Sequence, residues 1–578
     1  MDVETLFEQL KDYGGEEIYP YHMPGHKRRA LGKMPEALAE LDITEVEGFD
    51  NLHQPEGILK EMQQYAAAAY GAEDTYYLVG GSTCGILSAV SAAIPWEGKL
   101  LIARNCHKSV FHAAYLRRLQ LSYVYPDRLP DVGIPEAVTA RQVQEALDRE
   151  QGIQGILIVS PTYEGRIAEV EEIAQIAHSR GIPLIVDEAH GAHLGFHPAF
   201  FQGSSRAGAD LVITSVHKTL PAMTQAALLH VNGALVDRRM LRRFLRIYQS
   251  SSPSYVLLAS IDNALRLAAE QEILFRQMVD NWNRMLDNLS ECRSLKIWPP
   301  ASLPPREYQT RQDIGKLVIS VQGTEITGQE LYRELLENYN LQMEMVCDSY
   351  VLAMFTIADT VQGYERLTEA LLELDSRIGQ LEGRQRSQAE PGARLSAQIF
   401  GMRDSLESGA QEEKATQGER AAQEEKAAQE EKATQGERAE QGESVEQRQK
   451  PAQRERAEPE AEQKAEQKAQ SPESRDSIPF AECWDLPVEW TPLGEAVGRY
   501  VGEFINIYPP GIPILVPGER LEKAHLELIE QYLADGLQVQ GISARDSQPG
   551  LEVLNSNAHG ISAASVQKEP ETGISGGV

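Results

Sequence analysis

Short apolar runs alternate with amphipathic stretches through the first 255 residues. GILIVS (155–160), PLIVDEA (183–189) and LVITS (211–215) are brief and apolar, as strands buried on both faces of a parallel sheet are. Between the first two, VEEIAQIAHSRG (170–181) carries apolar residues at helical spacing and ends in Gly181. Strand, helix and strand joined by short links predict βαβ units and a mostly parallel sheet. The uncharged stretch from Thr75 to Trp96 is long enough to cross a bilayer. Gly80-Gly81-Ser82-Thr83 interrupts it and Pro95-Trp96 ends it, so a strand, a polar turn and a buried helix are expected instead. From about 256 the pattern changes. A long helix over 261–289 precedes the strands KLVISV (316–321) and YVLAMFTI (350–357), which predicts a smaller α+β domain.

Residues 403–477 hold no aromatic side chain, and their only large aliphatics are Leu406 and Val445. Hexapeptides repeat within them: AQEEKA from Ala410, Ala422 and Ala428, and TQGERA from Thr416 and Thr434. A six-residue period matches neither 3.5 nor 3.6, so no apolar stripe accumulates and ordering entropy goes uncompensated. A solvated linker or a partner-binding segment is expected there. The chain is thus divided into a large domain (1–255), a small domain (256–402), the linker (403–477), a C-terminal domain (478–545) and a disordered tail (546–578) rich in Ser, Gly, Asn and Gln.

Composition narrows the function. With 86 acidic against 55 basic side chains the formal net charge is −31, which disfavours nucleic acid and anionic membrane surfaces as partners. Five cysteines (Cys84, Cys106, Cys292, Cys347, Cys483) lie far apart with no C-x-x-C pair, as expected in a reducing compartment. The opening MDVETLFEQLKDYGG is acidic and lacks the apolar core of a secretory signal, so a soluble cytoplasmic protein is expected.

Reactive side chains cluster where the apolar strands end, the usual place for ligand crevices in open α/β sheets. Ser82 and Thr83 precede a helical run, and either cap it or hold a phosphate. Asp187 ends a strand, and either caps the next turn or faces a crevice. His107 and Lys218, taken singly, read as ordinary surface residues. Together they change meaning. Pyridoxal 5'-phosphate requires an amine to capture its aldehyde, a carboxylate to keep its ring nitrogen protonated, and anion contacts for its phosphate.

The motifs PYHMPGHK (20–27), DITEVEGFDNLHQPEG (42–57), LVGGSTCG (78–85), NCHKS (105–109), SPTYEG (160–165), VDEAHGAH (186–193), SVHKT (215–219), SSSPSY (250–255) and YPPGIPILVPGE (508–519) are then informative as a set. Through them the sequence resembles the Orn/Lys/Arg decarboxylase family of fold type I pyridoxal-phosphate enzymes. The resemblance implies that Lys218 binds the cofactor covalently, Asp187 pairs with its ring nitrogen and His107 stacks on the ring. It also implies that Ser82, Thr83, Ser215 and His217 surround the phosphate, and that His190 borders the ring or the substrate. Ser251 matches a position that reaches a neighbouring subunit's phosphate, implying a homodimer or higher oligomer. Glu519 is the candidate reader of the substrate's distal positive charge.

The implied reaction is decarboxylation of arginine, lysine or ornithine to agmatine, cadaverine or putrescine, in polyamine metabolism. The PGHK motif begins about twenty residues in, so the wing domain of the long family members, and the large rings it implies, are not expected. Other readings fit less of the sequence. DEAH (187–190) lacks an accompanying G-x-x-x-x-G-K-[ST]. Asp187, His190 and His193 have metal-ligand spacing, but a metal leaves Ser215, His217 and Lys218 unexplained. No metal is expected. An aminotransferase, an aldolase-type lyase and an inactive scaffold using the acidic repeat remain as alternatives.

Overall fold

The computed structural model describes residues 5–15, 19–30, 32–33, 35–301, 311–387, 480–507, 511–534, 537, 539–545 and 548–555. The linker expected at 403–477 lies outside them.

Seven strands build the central sheet: β1 (Asp74–Leu78), β2 (Lys99–Ala103), β3 (Gln120–Val124), β4 (Gly155–Val159), β5 (Leu184–Asp187), β6 (Leu211–Thr214) and β7 (Ala227–Val231). Their order is β1-β7-β6-β5-β4-β2-β3. Neighbours among β2 to β6 pair in parallel, while β7 runs antiparallel to both β6 and β1. This is the mostly parallel sheet that the apolar runs predict.

Alternation along the strands explains why those runs lack polar residues. Leu100, Ile102, Leu157, Ile185, Leu211 and Ile213 belong to one apolar cluster. Their sequence neighbours Leu101, Ile156, Ile158, Leu184, Val186 and Val212 belong to a second. Both faces of each strand are therefore covered. Helices α1 (Gly81–Ala93), α2 (Lys108–Arg117), α3 (Val170–His178) and the short α4 (Val216–Thr219) connect the strands. Helix α1 packs so tightly that a Cβ at Gly85 would lie 2.7 Å from Leu78 Cδ1 and 3.0 Å from Ile213 Cγ2. The uncharged stretch from Thr75 is thus a strand, a turn and a helix. Among the described residues no helix is long and apolar enough to cross a membrane.

The single long helix expected over 261–289 is instead two. Helix α5 (Tyr255–Glu270) ends and α6 (Glu272–Leu289) begins at Gln271, whose φ of −109° and ψ of 61° break the helical path. Apolar periodicity continues on both sides of that residue, so the break leaves little trace in the pattern. The small domain's sheet comprises β8 (Lys296–Trp298), β9 (Lys316–Ser320), β10 (Met345–Val346) and β11 (Tyr350–Met354), antiparallel throughout in the order β8-β9-β11-β10. Helix α7 (Val361–Ser387) follows. Residues 376–467 form a separate unit, of which 376–387 are described.

The C-terminal region contains β12 (Val488–Pro492), β13 (Ile505–Ile507), β14 (Pro513–Leu515), helix α8 (Lys523–Ala534), β15 (Val539–Gln540), β16 (Ile542–Arg545) and β17 (Gln548–Leu554). Two three-stranded sheets result, β12-β17-β16 and β14-β13-β15. The tail expected from 546 therefore starts too early. Strand β17 pairs with β12 on one side and β16 on the other, and its Leu551 and Val553 are fully buried. The polar residues around LEVL had hidden a four-residue apolar alternation. Phe480, Phe504 and Val516 join the apolar cluster of the large domain. The rings of Phe480 and Phe504 sit 5.9 and 6.0 Å from that of Phe111 on α2.

Candidate active site

The C-terminal ends of β5 and β6 bring the first reactive groups together. Asp187 is the last residue of β5, and Ser215, His217 and Lys218 follow β6 directly. In the turn after Asp187, His190 reaches back so that its Nε2 lies 3.1 Å from Lys218 Nζ. Burial, then the charge of Lys218, hold His190 well below the usual histidine range. The ring is therefore neutral, and Nε2 accepts from the lysine. Its Nδ1 is buried with no hydrogen-bond partner among the described residues.

Asp187 is 5% exposed. Its Oδ1 accepts from the Ala189 amide at 3.2 Å, so it does cap the turn, yet it also feels the charge of Lys218. Burial pushes its carboxyl up and Lys218 pulls it back down. The amine of Lys218 is shifted downward, chiefly by burial; Asp187 and Glu344 oppose the shift and Lys316 adds to it. A lysine in this setting is poised to act as a nucleophile.

Ser82 and Thr83 open helix α1, whose N-cap Gly80 provides no side-chain cap. The Gly81 amide donates to Gln225 O at 3.0 Å, which leaves the amides and hydroxyls of Ser82 and Thr83 at the open end of the helix, the arrangement that suits an anion. Ser215 Oγ donates to Ser82 Oγ at 2.9 Å, which ties the β6 end to this terminus. His217 uses Nδ1 to donate to Ala226 O at 2.8 Å. His107 is the N-cap of α2, and its Nδ1 accepts from the Ser109 amide at 3.2 Å. Burial and the neighbouring Lys218 lower it to about 4, so this ring too is neutral at pH 7.

Two expected site residues behave differently. Ser251 is exposed, in a turn where Ser250 Oγ donates to Ser252 O at 3.2 Å, and no hydrogen bond joins it to the cluster among the described residues. Glu519, expected to read a distal charge, already has an internal partner. Its Oε2 accepts from Arg104 Nη2 at 2.9 Å and from the Val516 amide at 3.0 Å. Arg104 also donates to Pro513 O at 2.8 Å and Ile514 O at 3.1 Å. Residues 513–519 are thereby fastened to the β2–α2 connection that carries His107, and Glu519 acts as the fastener. Proximity in the motif could not reveal a partner 415 positions upstream.

Sequence reasoning also missed residues that the small domain contributes. Glu344, half-buried just before β10, interacts electrostatically with Lys218 and accepts a hydrogen bond from Tyr163. The Tyr163 ring packs 4.4 Å from that of His190. Nothing local marks Glu344, because Lys218 and Tyr163, which it meets, belong to a different domain. His190 and His193, read as one metal-ligand pattern, have separate partners: His193 Nε2 lies 2.8 Å from Asp313 Oδ1.

Residues 4–359 match the family model described as Orn/Lys/Arg decarboxylase, major domain, and residues 459–564 match its C-terminal domain. The chain is 30% identical over 545 residues to an arginine decarboxylase of Bacillus anthracis, covering 93% of this chain and 94% of that one. It is 24% identical over 348 residues to a lysine decarboxylase of Pseudomonas aeruginosa, covering 54% and 46% of the two chains. In fold it is similar to the lysine decarboxylase of Francisella novicida, with a TM-score of 0.71 at 16% identity, covering 96% of this chain and 81% of that one. The chain belongs to the Orn/Lys/Arg decarboxylase family.

Proposed function

We propose that this amino-acid decarboxylase uses pyridoxal 5'-phosphate to remove the α-carboxylate of arginine, lysine or ornithine, yielding agmatine, cadaverine or putrescine for polyamine metabolism. The observation that carries the reading is the meeting of Lys218, His190 and Asp187 at two adjacent strand ends, beside an anion-binding helix terminus. The residues present fit the cofactor. Asp187 is a buried carboxylate that needs a cationic donor, Lys218 supplies an amine, and Ser82, Thr83, Ser215 and His217 surround a place for phosphate. The buried Asn105 Oδ1 and His190 Nδ1 have no partner among the described residues, which suits a polar ligand. When bound, the cofactor supplies an aldehyde that captures amines and a protonated ring that accepts the electron pair of the breaking Cα–carboxylate bond.

The protein groups have separate tasks. Asp187 holds a proton on the ring nitrogen through a charge-assisted hydrogen bond, because a neutral pyridine accepts electrons poorly. His107, neutral and fixed as the α2 cap, offers a flat face without a competing charge. His190, neutral, accepts a hydrogen bond from Lys218 Nζ at Nε2 and so orients the amine. Glu344, rather than Glu519, reads the distal positive charge of the substrate, being the carboxylate that acts on Lys218 from the small domain. Ser251 serves the phosphate of a second copy in a homodimer or larger assembly.

The test is the absorbance of the protein with pyridoxal phosphate added, together with CO₂ release from each basic amino acid. Cofactor absorbance dependent on Lys218 and CO₂ from one substrate support the reading. Amino-group transfer to a keto acid without CO₂ would replace it with an aminotransferase.

A further inference from the structure

The loop that follows β4 joins the small domain to the turn that carries His190. On one side, the Glu164 carbonyl accepts from Gln312 Nε2 at 2.7 Å and the Gly165 carbonyl from the Asp313 amide at 2.8 Å. The Glu164 carboxylate accepts from Tyr350 Oη on β11 at 2.9 Å and from Thr162 Oγ1 at 3.1 Å. The fit leaves no slack at Gly165: at its φ of +92°, a Cβ there would lie 2.5 Å from Gln312 Nε2 and 2.9 Å from Lys316 Cβ. On the other side, the loop meets the turn after β5, where a Cβ at Gly191 would lie 2.9 Å from Pro161 Cδ. The Ser160 amide also donates to Asp187 O at 3.1 Å.

Tyr163 stands between these two clamps. Its ring packs against the apolar cluster that contains Trp298, Met345, Tyr350 and Leu352 of the small domain. The same ring lies 4.4 Å from that of His190, at an interplanar angle of 56°. Its hydroxyl donates to Glu344 Oε1. The Glu344 amide in turn donates to Leu352 O at 2.9 Å, so this carboxylate is carried by the small-domain sheet. Direct contacts therefore run from Glu344 through Tyr163 and His190 to Lys218 Nζ, the last of them at 3.1 Å.

Packing alone does not require this arrangement. A phenylalanine would fill the same apolar place, and the hydroxyl adds only the bond to Glu344. An imidazole is normally oriented through the hydrogen bond of its second nitrogen. His190 Nδ1 is buried and has no such partner among the described residues. The contact with the Tyr163 ring thus fixes the plane of His190, and that plane decides where Nε2 points.

We propose that Tyr163 is a positioning residue for the reactive amine: its ring holds His190 in the orientation that receives Lys218, and its hydroxyl, bonded to Glu344, ties that orientation to the small domain. The inference rests on Lys218 being the residue that captures the cofactor.

The experiment follows Lys218 itself rather than turnover. Pyridoxal phosphate is added to the full-length protein, samples are quenched with borohydride at successive times, and the label is located by peptide mass spectrometry. The nitrogen lone pair of Lys218 adds to the aldehyde carbon, water leaves, and hydride from borohydride reduces the C=N bond to a stable secondary amine. Rates are compared on the alkaline plateau, where the amine is unprotonated in every variant and only its orientation differs. Tyr163→Leu, which removes the ring, should slow labelling at Lys218 by more than about 10-fold, the scale of a misplaced reacting group. Tyr163→Phe keeps the ring and guards against a leucine variant that does not fold. It should slow labelling by about 3- to 10-fold, as should Glu344→Ala. Glu344→Gln, whose amide oxygen still accepts from the phenol, should stay nearer the parent than Glu344→Ala. Because Tyr163→Phe and Glu344→Ala break the same bond, the double variant should be no slower than either alone. A parent-like rate in folded Tyr163→Phe, or a double variant slowed by the product of the two single effects, would overturn the proposal. Absence of label at Lys218 in the parent protein would overturn the role of Lys218 and this inference with it.

Discussion

Arg104 and Glu519, 415 positions apart, meet at 2.9 Å and lock the C-terminal domain onto the strand end that leads to His107. Both side chains are mostly buried, 13% and 21% exposed. Removing one partner leaves the other charge buried without its counterion.

Glu519→Gln should therefore act on stability before substrate choice. The expected loss is about 2–3 kcal/mol, below that of a fully buried pair because some solvent reaches this one. Chemical denaturation measures it. The ratio of kcat/KM among arginine, lysine and ornithine should stay as it was, and a changed ratio would return Glu519 to the role of substrate reader.

Glu344→Gln should do the converse. Losing a charge-assisted contact to the distal cation corresponds to about 1.5–3 kcal/mol, or roughly 10- to 100-fold in kcat/KM for the preferred basic amino acid. Steady-state kinetics check this, with melting temperature as the control. An unchanged kcat/KM would remove Glu344 from the substrate site.

Asp187→Asn keeps the shape of the strand end and removes its charge. We expect kcat to fall by about 100- to 1,000-fold, the usual effect of losing one electrostatic stabiliser of a transition state. Cofactor absorbance should persist, so spectroscopy and kinetics together separate weakened chemistry from lost binding.

Glu188 gives a pH dependence of stability. Its carboxyl, 2% exposed and accepting from the Ser204 amide at 2.8 Å, is pushed by burial to about 8. Between about pH 4.5 and 8 the unfolded chain has released this proton while the native chain retains it. The native state then binds more protons, so this group makes stability fall as pH rises across that window. Glu188→Gln should flatten that decline, and its melting temperature should exceed the parent's more at pH 8 than at pH 5. Equal differences at both values would contradict the assignment.

Much of this architecture was legible before the structure. Uninterrupted apolar runs identified β4, β5 and β6, because strands covered on both faces can hold few polar residues. The positions of Asp187 and Lys218 were legible for the same reason: they are polar residues where those runs stop. The break at Gln271 was not legible, since helical periodicity continues through it. Strand β17 was concealed by its polar flanks. Lys316 had a signal in plain view, a lysine heading an apolar strand, yet the contact of its partner Asp313 with His193 is one that only the fold assembles. Glu519 shows the limit of motif reasoning. Its ion pair with Arg104, 415 positions upstream, is assembled only by the fold.

Lys218 and its neighbours are proposed to carry out decarboxylation of a basic amino acid. The most direct measurement is CO₂ release by the protein loaded with pyridoxal phosphate, from arginine, lysine and ornithine separately, with Lys218→Ala alongside. Release from one of the three and none from the variant is expected. Release that survives in Lys218→Ala, or cofactor absorbance without CO₂ from any of them, would contradict it.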